Sequence, residues 1–297
     1  RSPKTEKQGA TKMIPQKVLE QAGIVIDIGA NDEPSEHNFI IPGLEKGDVG
    51  IVAAPGGTGK SFLLLEIAMS VALGVTLIPG LTVNYAGYVR VLNFEERLQA
   101  LKNRLIWICR YFDVDFPSDR LLVSSLSNCT LRLVDRNGNV NREYVSFLKK
   151  QAEGMSLLIL DPLRMCHFAD ENDAGAMSAL VQVLKDIGEE TDAGVLVAHH
   201  SSKSSILNGQ GNSQQSVRGS SALVDAARLV ITLSKPTRSH DDKNSGNNKL
   251  ELSWVKLNSH PPIEPVTLIR ATGGVLASEN FELSWQAISR MSGKKYR

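Results

Sequence analysis

The sequence predicts an α/β fold, a mostly parallel twisted sheet flanked by helices with late strands at the sheet edge. Three observations carry that expectation. From Asp48 onward, short runs rich in Val, Ile and Leu alternate steadily with helix-length segments. The runs are apolar throughout, as strands buried on both faces are. A glycine-rich turn, Ala54–Ser61, joins the first run to the first helical segment.

Residues 1 to 38 read as an arm and docking segment, polar to about residue 14 and then mixed through Val25, Ile26 and, just beyond, Ile40-Ile41-Pro42-Gly43. The folded domain spans 39–280, and 281–297 form a tail. Its expected strands are Val49–Ala54, Tyr88–Phe94, Ser156–Asp161, Gly194–His199 and Leu229–Leu233, followed by the late runs Lys249–Leu257 and Val266–Ile269. Helices are expected over Ser61–Leu73, Glu96–Phe112, Tyr144–Glu153 and Ala174–Glu190. In the last of these, Met177, Leu180, Val181, Leu184 and Ile187 recur at three- and four-residue spacing and so share one face. Two polar tracts, Ser201–Ser216 and Arg238–Asn248, read as loops.

Composition narrows the function classes. Apolar residues at 42% and charged residues at 22% exclude a disordered or collagen-like chain. Lys and Arg total 33 against 32 acids, so any nucleic-acid binding must be local. No apolar run approaches the ~18 residues of a membrane span, and no membrane partner is expected. Cys109, Cys129 and Cys166 are too scattered for a disulfide framework or a CxxC pair, and no apolar secretory core follows Arg1-Ser2-Pro3-Lys4. Both features fit a reducing, cytoplasmic setting.

The strongest chemical signal is Ala54-Pro55-Gly56-Gly57-Thr58-Gly59-Lys60-Ser61, placed after a strand and opening a helix, as a P-loop must be. Glycines let successive amides converge on phosphates, and the helix start adds partial positive charge. Lys60 can reach the β- and γ-phosphates of ATP, while the Ser61 hydroxyl can hold Mg²⁺. A glycine turn with no ligand would need neither Lys60 nor Ser61. The apolar strand ending at Asp161 delivers a carboxylate suited to the magnesium side of such a site. Glu95, first after another strand, is the candidate general base, with Glu96 readable as a helix-start acid. His199 and His200 end a third strand at the same edge. They can sense the γ-phosphate or cap the strand, whereas no nearby Cys or carboxylate cluster supports zinc.

The order Ala54–Ser61, Glu95, Asp161, His199-His200 and Val217-Arg218-Gly219-Ser220-Ser221-Ala222-Leu223-Val224-Asp225 resembles the RepA-type hexameric replicative helicases of plasmids, DnaB-like members of the RecA-like P-loop ATPases. The resemblance covers about Phe39 to Leu276. It implies one RecA-like domain, six copies in a ring with ATP at each interface, and single-stranded DNA through the centre. It assigns the cradle to Gly59, Lys60 and Ser61, water activation to Glu95, the magnesium side to Asp161 and γ-phosphate sensing to His199 and His200. A neighbour's arginine usually completes such a site. Arg228 is the matching candidate, because Lys256-Leu257-Asn258 stands where DnaB-like sequences carry Lys-x-Arg; Arg218 is the other cation available.

For DNA, Lys203 through Gln215 offers one cation with many amides and hydroxyls, and Arg164 with His167 could form a second inner loop. A solvated loop without a partner has the same composition. The expected activity is an ATP- and Mg²⁺-dependent DNA helicase, a homohexamer acting in replication of a plasmid or other mobile element beside an initiator or primase. The alternative is a regulatory or recombination-mediator ATPase that assembles on DNA without unwinding.

Overall fold

In the computed structural model, which describes Glu33 and residues 36–200, 221–236 and 248–278, the chain divides into two units, Arg1–Glu36 and His37–Arg297. All elements named here belong to the second. The strands are β1 (Val49–Ala54), β2 (Val89–Asn93), β3 (Leu121–Ser125), β4 (Leu157–Asp161), β5 (Gly194–His200), β6 (Leu229–Ser234), β7 (Lys249–Leu257), β8 (Val266–Arg270) and β9 (Leu276–Ala277). The helices are α1 (Lys60–Leu73), α2 (Leu98–Phe112), α3 (Arg142–Ala152), α4 (Ala174–Thr191) and α5 (Ser221–Ala226).

One nine-stranded sheet runs in the order β3-β2-β4-β5-β1-β6-β7-β8-β9. It is parallel from β3 through β6, and β7, β8 and β9 extend it antiparallel at one edge. This is the fold class the sequence predicts. Three elements go beyond it: β3, β9 and the short helix α5.

Strand periodicity divides the core into two layers. On β1, Val52 and Ala54 pack with Leu64 and Leu65 of α1, whereas Val49, Ile51 and Ala53 pack with Leu180 and Leu184 of α4. All six β1 residues are buried, so a slip of one residue would exchange the two layers' side chains. Each fully buried Leu or Ile contributes about 1.5–3 kcal/mol. Helix α1 is apolar nearly all round and buried along most of its length, as a helix covered on every side must be. At the start of the second unit Ile41 and Leu44 are fully buried, with Ile40 N–H donating to the Leu44 carbonyl at 2.8 Å. Val25 and Ile26 lie outside the described residues. Among the described residues no helix is long and apolar enough to cross a membrane.

The parallel strands all point their carboxyl ends to one edge. Ligands of open α/β sheets bind in the crevice beyond that edge. Ala54, Asn93, Asp161 and His200, the last residues of β1, β2, β4 and β5, all end there.

Candidate functional site

The turn from β1 into α1 begins as a tight bend, Thr58 N–H donating to the Pro55 carbonyl at 3.3 Å. Gly57 and Gly59 take φ of +76° and +110°, a region that excludes most side chains and fixes glycine at both positions. Gly59 caps α1 with no side-chain acceptor, so its first-turn amides remain available to an anion. Lys60 is buried, 8% exposed, and its Nζ donates to the His199 carbonyl at 3.4 Å. Burial lowers its proton affinity below the usual lysine range, while Asp161 and Glu95 pull it back up.

Asp161 lies beside it, 3% exposed. Burial raises its pKa above the ordinary aspartate value, opposed by the Lys60 charge, a hydrogen bond to the Ser61 side chain, Arg104 and Asn93. Ser61 and Asp161 thus bring a hydroxyl and a carboxylate together at the cradle, the hard-oxygen donors that Mg²⁺ takes alongside phosphates and water. Asn93 ties the next strand in. Its Nδ2 donates to Asp161 Oδ2 at 2.9 Å, and its Oδ1 accepts from Glu95 N–H at 3.1 Å and Glu96 N–H at 2.7 Å.

The two glutamates have different surroundings. Glu96 is clamped by the Arg104 guanidinium through both carboxylate oxygens, and Arg104 also stacks 4.7 Å above the Phe62 ring. Glu95 stays exposed, its pKa raised by partial burial and by Asp161, then lowered by Lys60 and raised again by Glu96. A cleft of about 640 Å³ holds Pro55, Gly56, Gly57, Gly59, Lys60, Ser61, Glu95 and His200 on one wall or another. Its far side is Asn103, Arg104 and Trp107 of α2 together with Arg270 and Gly273. Thr58, also predicted for the cradle, is buried within the turn.

Other predicted residues fall elsewhere. The His199 ring is buried, 1% exposed, so it is the backbone carbonyl that meets Lys60, while His200 lines the cleft. Arg228 precedes β6, its N–H donating to the Val49 carbonyl at 2.8 Å and its Nε 3.9 Å from Asp48. That is the amino edge of the sheet, opposite the cradle of its own chain. Lys256 is close by, Nζ donating to the Val224 and Asp225 carbonyls at 2.9 and 2.7 Å. Arg164 is half-exposed between Glu171 at 3.6 Å and the His167 carbonyl at 3.3 Å. His167 departs from expectation: it is buried, and burial with the Arg164 charge pushes its pKa down to about 4, so it presents no cation to a partner. Lys203, Arg218 and the 201–216 loop lie outside the described residues.

Sequence reasoning missed Asn93, Arg104 and Arg270. Asn93 is the last residue of a short strand, and Arg104 is one of several cations on an amphipathic helix. Arg270 is more than 200 residues from the loop it touches, its Nη2 donating to the Gly57 and Thr58 carbonyls at 3.0 and 2.5 Å.

A strand-turn-helix cradle with a buried lysine, an Asp at the end of a second strand of the same sheet and an acid just beyond a third defines a P-loop ATPase of RecA-like fold. A family model described as an AAA domain matches residues 16–205, more than half of the chain, and the chain belongs to that family. Among solved structures, one described as an ATPase domain aligns at TM-score 0.57 and 15% identity, over 80% of this chain and 86% of that one. A DnaB-like replicative helicase, described with its interactions with primase, aligns at the same TM-score and identity over 80% of this chain. This chain covers 58% of that helicase's length. At such identity the likeness is one of fold.

Proposed function

We propose that the protein is a ring-forming, ATP- and Mg²⁺-dependent helicase that moves along single-stranded DNA, a homohexamer serving the replication of a plasmid or other mobile element. The observation that carries this reading is that Lys60 and Glu95 line one cleft with the buried Asp161 beside Lys60, and that Asn93 links Asp161 to the backbone of Glu95. The likeness in fold to a DnaB-like replicative helicase supports the choice of a helicase over other ATPases.

In this reading the amides from Gly57 to Ser61 and the Lys60 ammonium bind the phosphate chain. Magnesium, held by Ser61 and Asp161 when bound, supplies charge neutralisation between the phosphates. Glu95 orients a water in line with the γ-phosphorus and accepts its proton, and the P–O bond to ADP breaks as the new one forms. Lys60 rests on the carbonyl of His199, the strand end that leads into the 201–216 loop. Loss of the γ-phosphate therefore alters the pull on that strand end. Arg164, Lys203 and Arg218 are assigned to DNA phosphates, and Arg228 to the neighbour's site.

The test is steady-state ATP turnover and displacement of a labelled strand from a forked duplex, with and without single-stranded DNA, alongside native mass measurement. The reading expects DNA-stimulated turnover, strand displacement and a six-copy species. Turnover indifferent to DNA, with no displacement, would replace it with the mediator ATPase. An initiator or primase partner would be sought by adding each to the displacement assay.

A further inference from the structure

The segment from Val266 to Ala277, β8, a glycine turn and β9, lies against the phosphate cradle and the helices α1 and α2 beside it through three separate sets of contacts. Arg270 Nη2 donates to two carbonyls of the glycine loop, Gly57 at 3.0 Å and Thr58 at 2.5 Å. Leu276 N–H donates at 2.8 Å to Oε1 of Glu66, a fully buried carboxyl on α1. In the turn, Gly273 and Gly274 take φ of +74° and +94°, and they approach the Trp107 and Phe62 rings so closely that a Cβ would stand 2.3 and 2.7 Å from ring carbons. Sequence separation makes none of these contacts incidental to chain connectivity.

We infer that Arg270, which also lines the cleft, is a positioning residue for nucleotide binding, bracing two carbonyls of the glycine loop so that the Gly59 amide is aimed at the phosphates. The inference rests on the reading of Ala54–Ser61 as an ATP cradle. A trans peptide is planar, with its C=O and N–H pointing in opposite directions. The Thr58 carbonyl that Arg270 grips belongs to the same peptide as the Gly59 N–H. Holding that oxygen fixes the direction of the N–H on the opposite side of the same peptide plane. A charged donor on the carbonyl also polarises the peptide and makes its N–H a stronger donor. The Gly57 carbonyl, gripped by the same nitrogen, fixes the neighbouring peptide, so two adjacent planes are set by one side chain.

This role differs from that of an arginine acting on the transferring phosphoryl group. A brace acts on ADP and ATP alike, because both place their β-phosphate in the same amides. Its removal raises KM and weakens ADP binding in parallel, and changes kcat less.

The experiment measures MgADP affinity by calorimetry, KM and kcat for ATP, and melting without nucleotide. It compares the parent with Arg270→Ala, Arg270→Gln, Arg270→Lys and, as a control on the cradle, Lys60→Ala. The inference expects Arg270→Ala to bind MgADP about tenfold more weakly, the size of one charge-assisted hydrogen bond. KM should rise by a similar factor with kcat within about threefold. Lys, which keeps the charge without the fork, should recover part of the loss, and Gln less. If Arg270→Ala melts below the assay temperature, Arg270→Gln and Arg270→Lys carry the same order of affinities. Parental ADP affinity in the Arg270 variants, with Lys60→Ala weakened, overturns the brace alone. A fall confined to kcat also overturns it, since that is the signature of a phosphoryl-contacting arginine. Parental affinity in Lys60→Ala overturns the cradle reading beneath both.

Discussion

At the scale of residues, one amide side chain organises the chemistry. Asn93 gives its donor to Asp161 and its acceptor to the backbone of Glu95 and Glu96, so the spacing between Asp161 and Glu95 is set by a group that carries no charge. Asn93→Asp keeps the shape but turns the donor into a carboxylate facing Asp161. Two carboxyls at hydrogen-bond distance do not both ionise readily, so the pair retains a proton and the second ionisation is strongly raised. Turnover should fall at least about tenfold with the fold retained, and a variant with parental kcat and parental far-UV and near-UV spectra would refute the role. The glutamates separate by their partners. Glu95→Gln should bind ATP normally and lose about a hundredfold or more in kcat, as expected when a general base is removed. Glu96→Gln should cost less than about tenfold, because an amide still accepts from Arg104. The reverse ranking would move the base to Glu96. Burial and the Asp161 charge raise the Glu95 pKa, and only the ionised form can accept a proton. The acid limb of kcat should therefore lie above the usual glutamate range and be absent from the residual activity of Glu95→Gln. The P-loop was legible because its chemistry is local in sequence. Asn93 was not, since its meaning lies in a hydrogen bond to a residue 68 positions away.

At the scale of elements, strands buried on both faces announce themselves, and those at the margins do not. β1, β2, β4, β5 and β6 are nearly continuous apolar runs. β3 is Leu-Leu-Val-Ser-Ser at the sheet's outer edge with most of its residues partly exposed, and β9 has two residues. Neither has a pattern long enough to read. The β9 contact on α1 nevertheless carries a thermodynamic consequence. Glu66 is fully buried among apolar neighbours, with Leu276 N–H on one oxygen, and burial raises its pKa well above the ordinary glutamate value. The folded state then holds a proton that the unfolded chain releases near its normal pKa of about 4.3. Above that pH the unfolded state binds fewer protons, so stability falls as pH rises, until the folded-state pKa is passed. Glu66→Gln cannot titrate and still offers an oxygen to Leu276. Its melting temperature should change less between pH 5 and pH 8 than the parent's. An unchanged difference between the two pH values would show that Glu66 does not retain its proton.

At the scale of the whole molecule, the sheet keeps Arg228 away from the cradle of its own chain. Lys60, Asp161 and Glu95 sit at the carboxyl edge of the strands, whereas Arg228 immediately precedes β6, beside Asp48 at the amino edge. Six residues of extended strand span roughly 20 Å, too far for the arginine to reach its own cradle. If Arg228 serves catalysis at all, it serves a neighbour's site. Its contact with Asp48 is long and its side chain is 58% exposed, so its removal should leave the fold nearly unaffected. That makes Arg228→Ala a clean reagent. Alone it should lose turnover in an assembled ring, as Lys60→Ala should. Mixed in equal amounts, the two should recover activity, because an Arg228→Ala subunit keeps an intact cradle and a Lys60→Ala neighbour supplies an intact arginine. With random assembly around a closed ring, about a quarter of the interfaces pair them in the productive order. The recovered rate should approach that fraction of the parental rate and vanish on dilution below the assembly concentration. Full activity of Arg228→Ala alone would remove it from catalysis, and silence at every mixing ratio would mean that no neighbour delivers it.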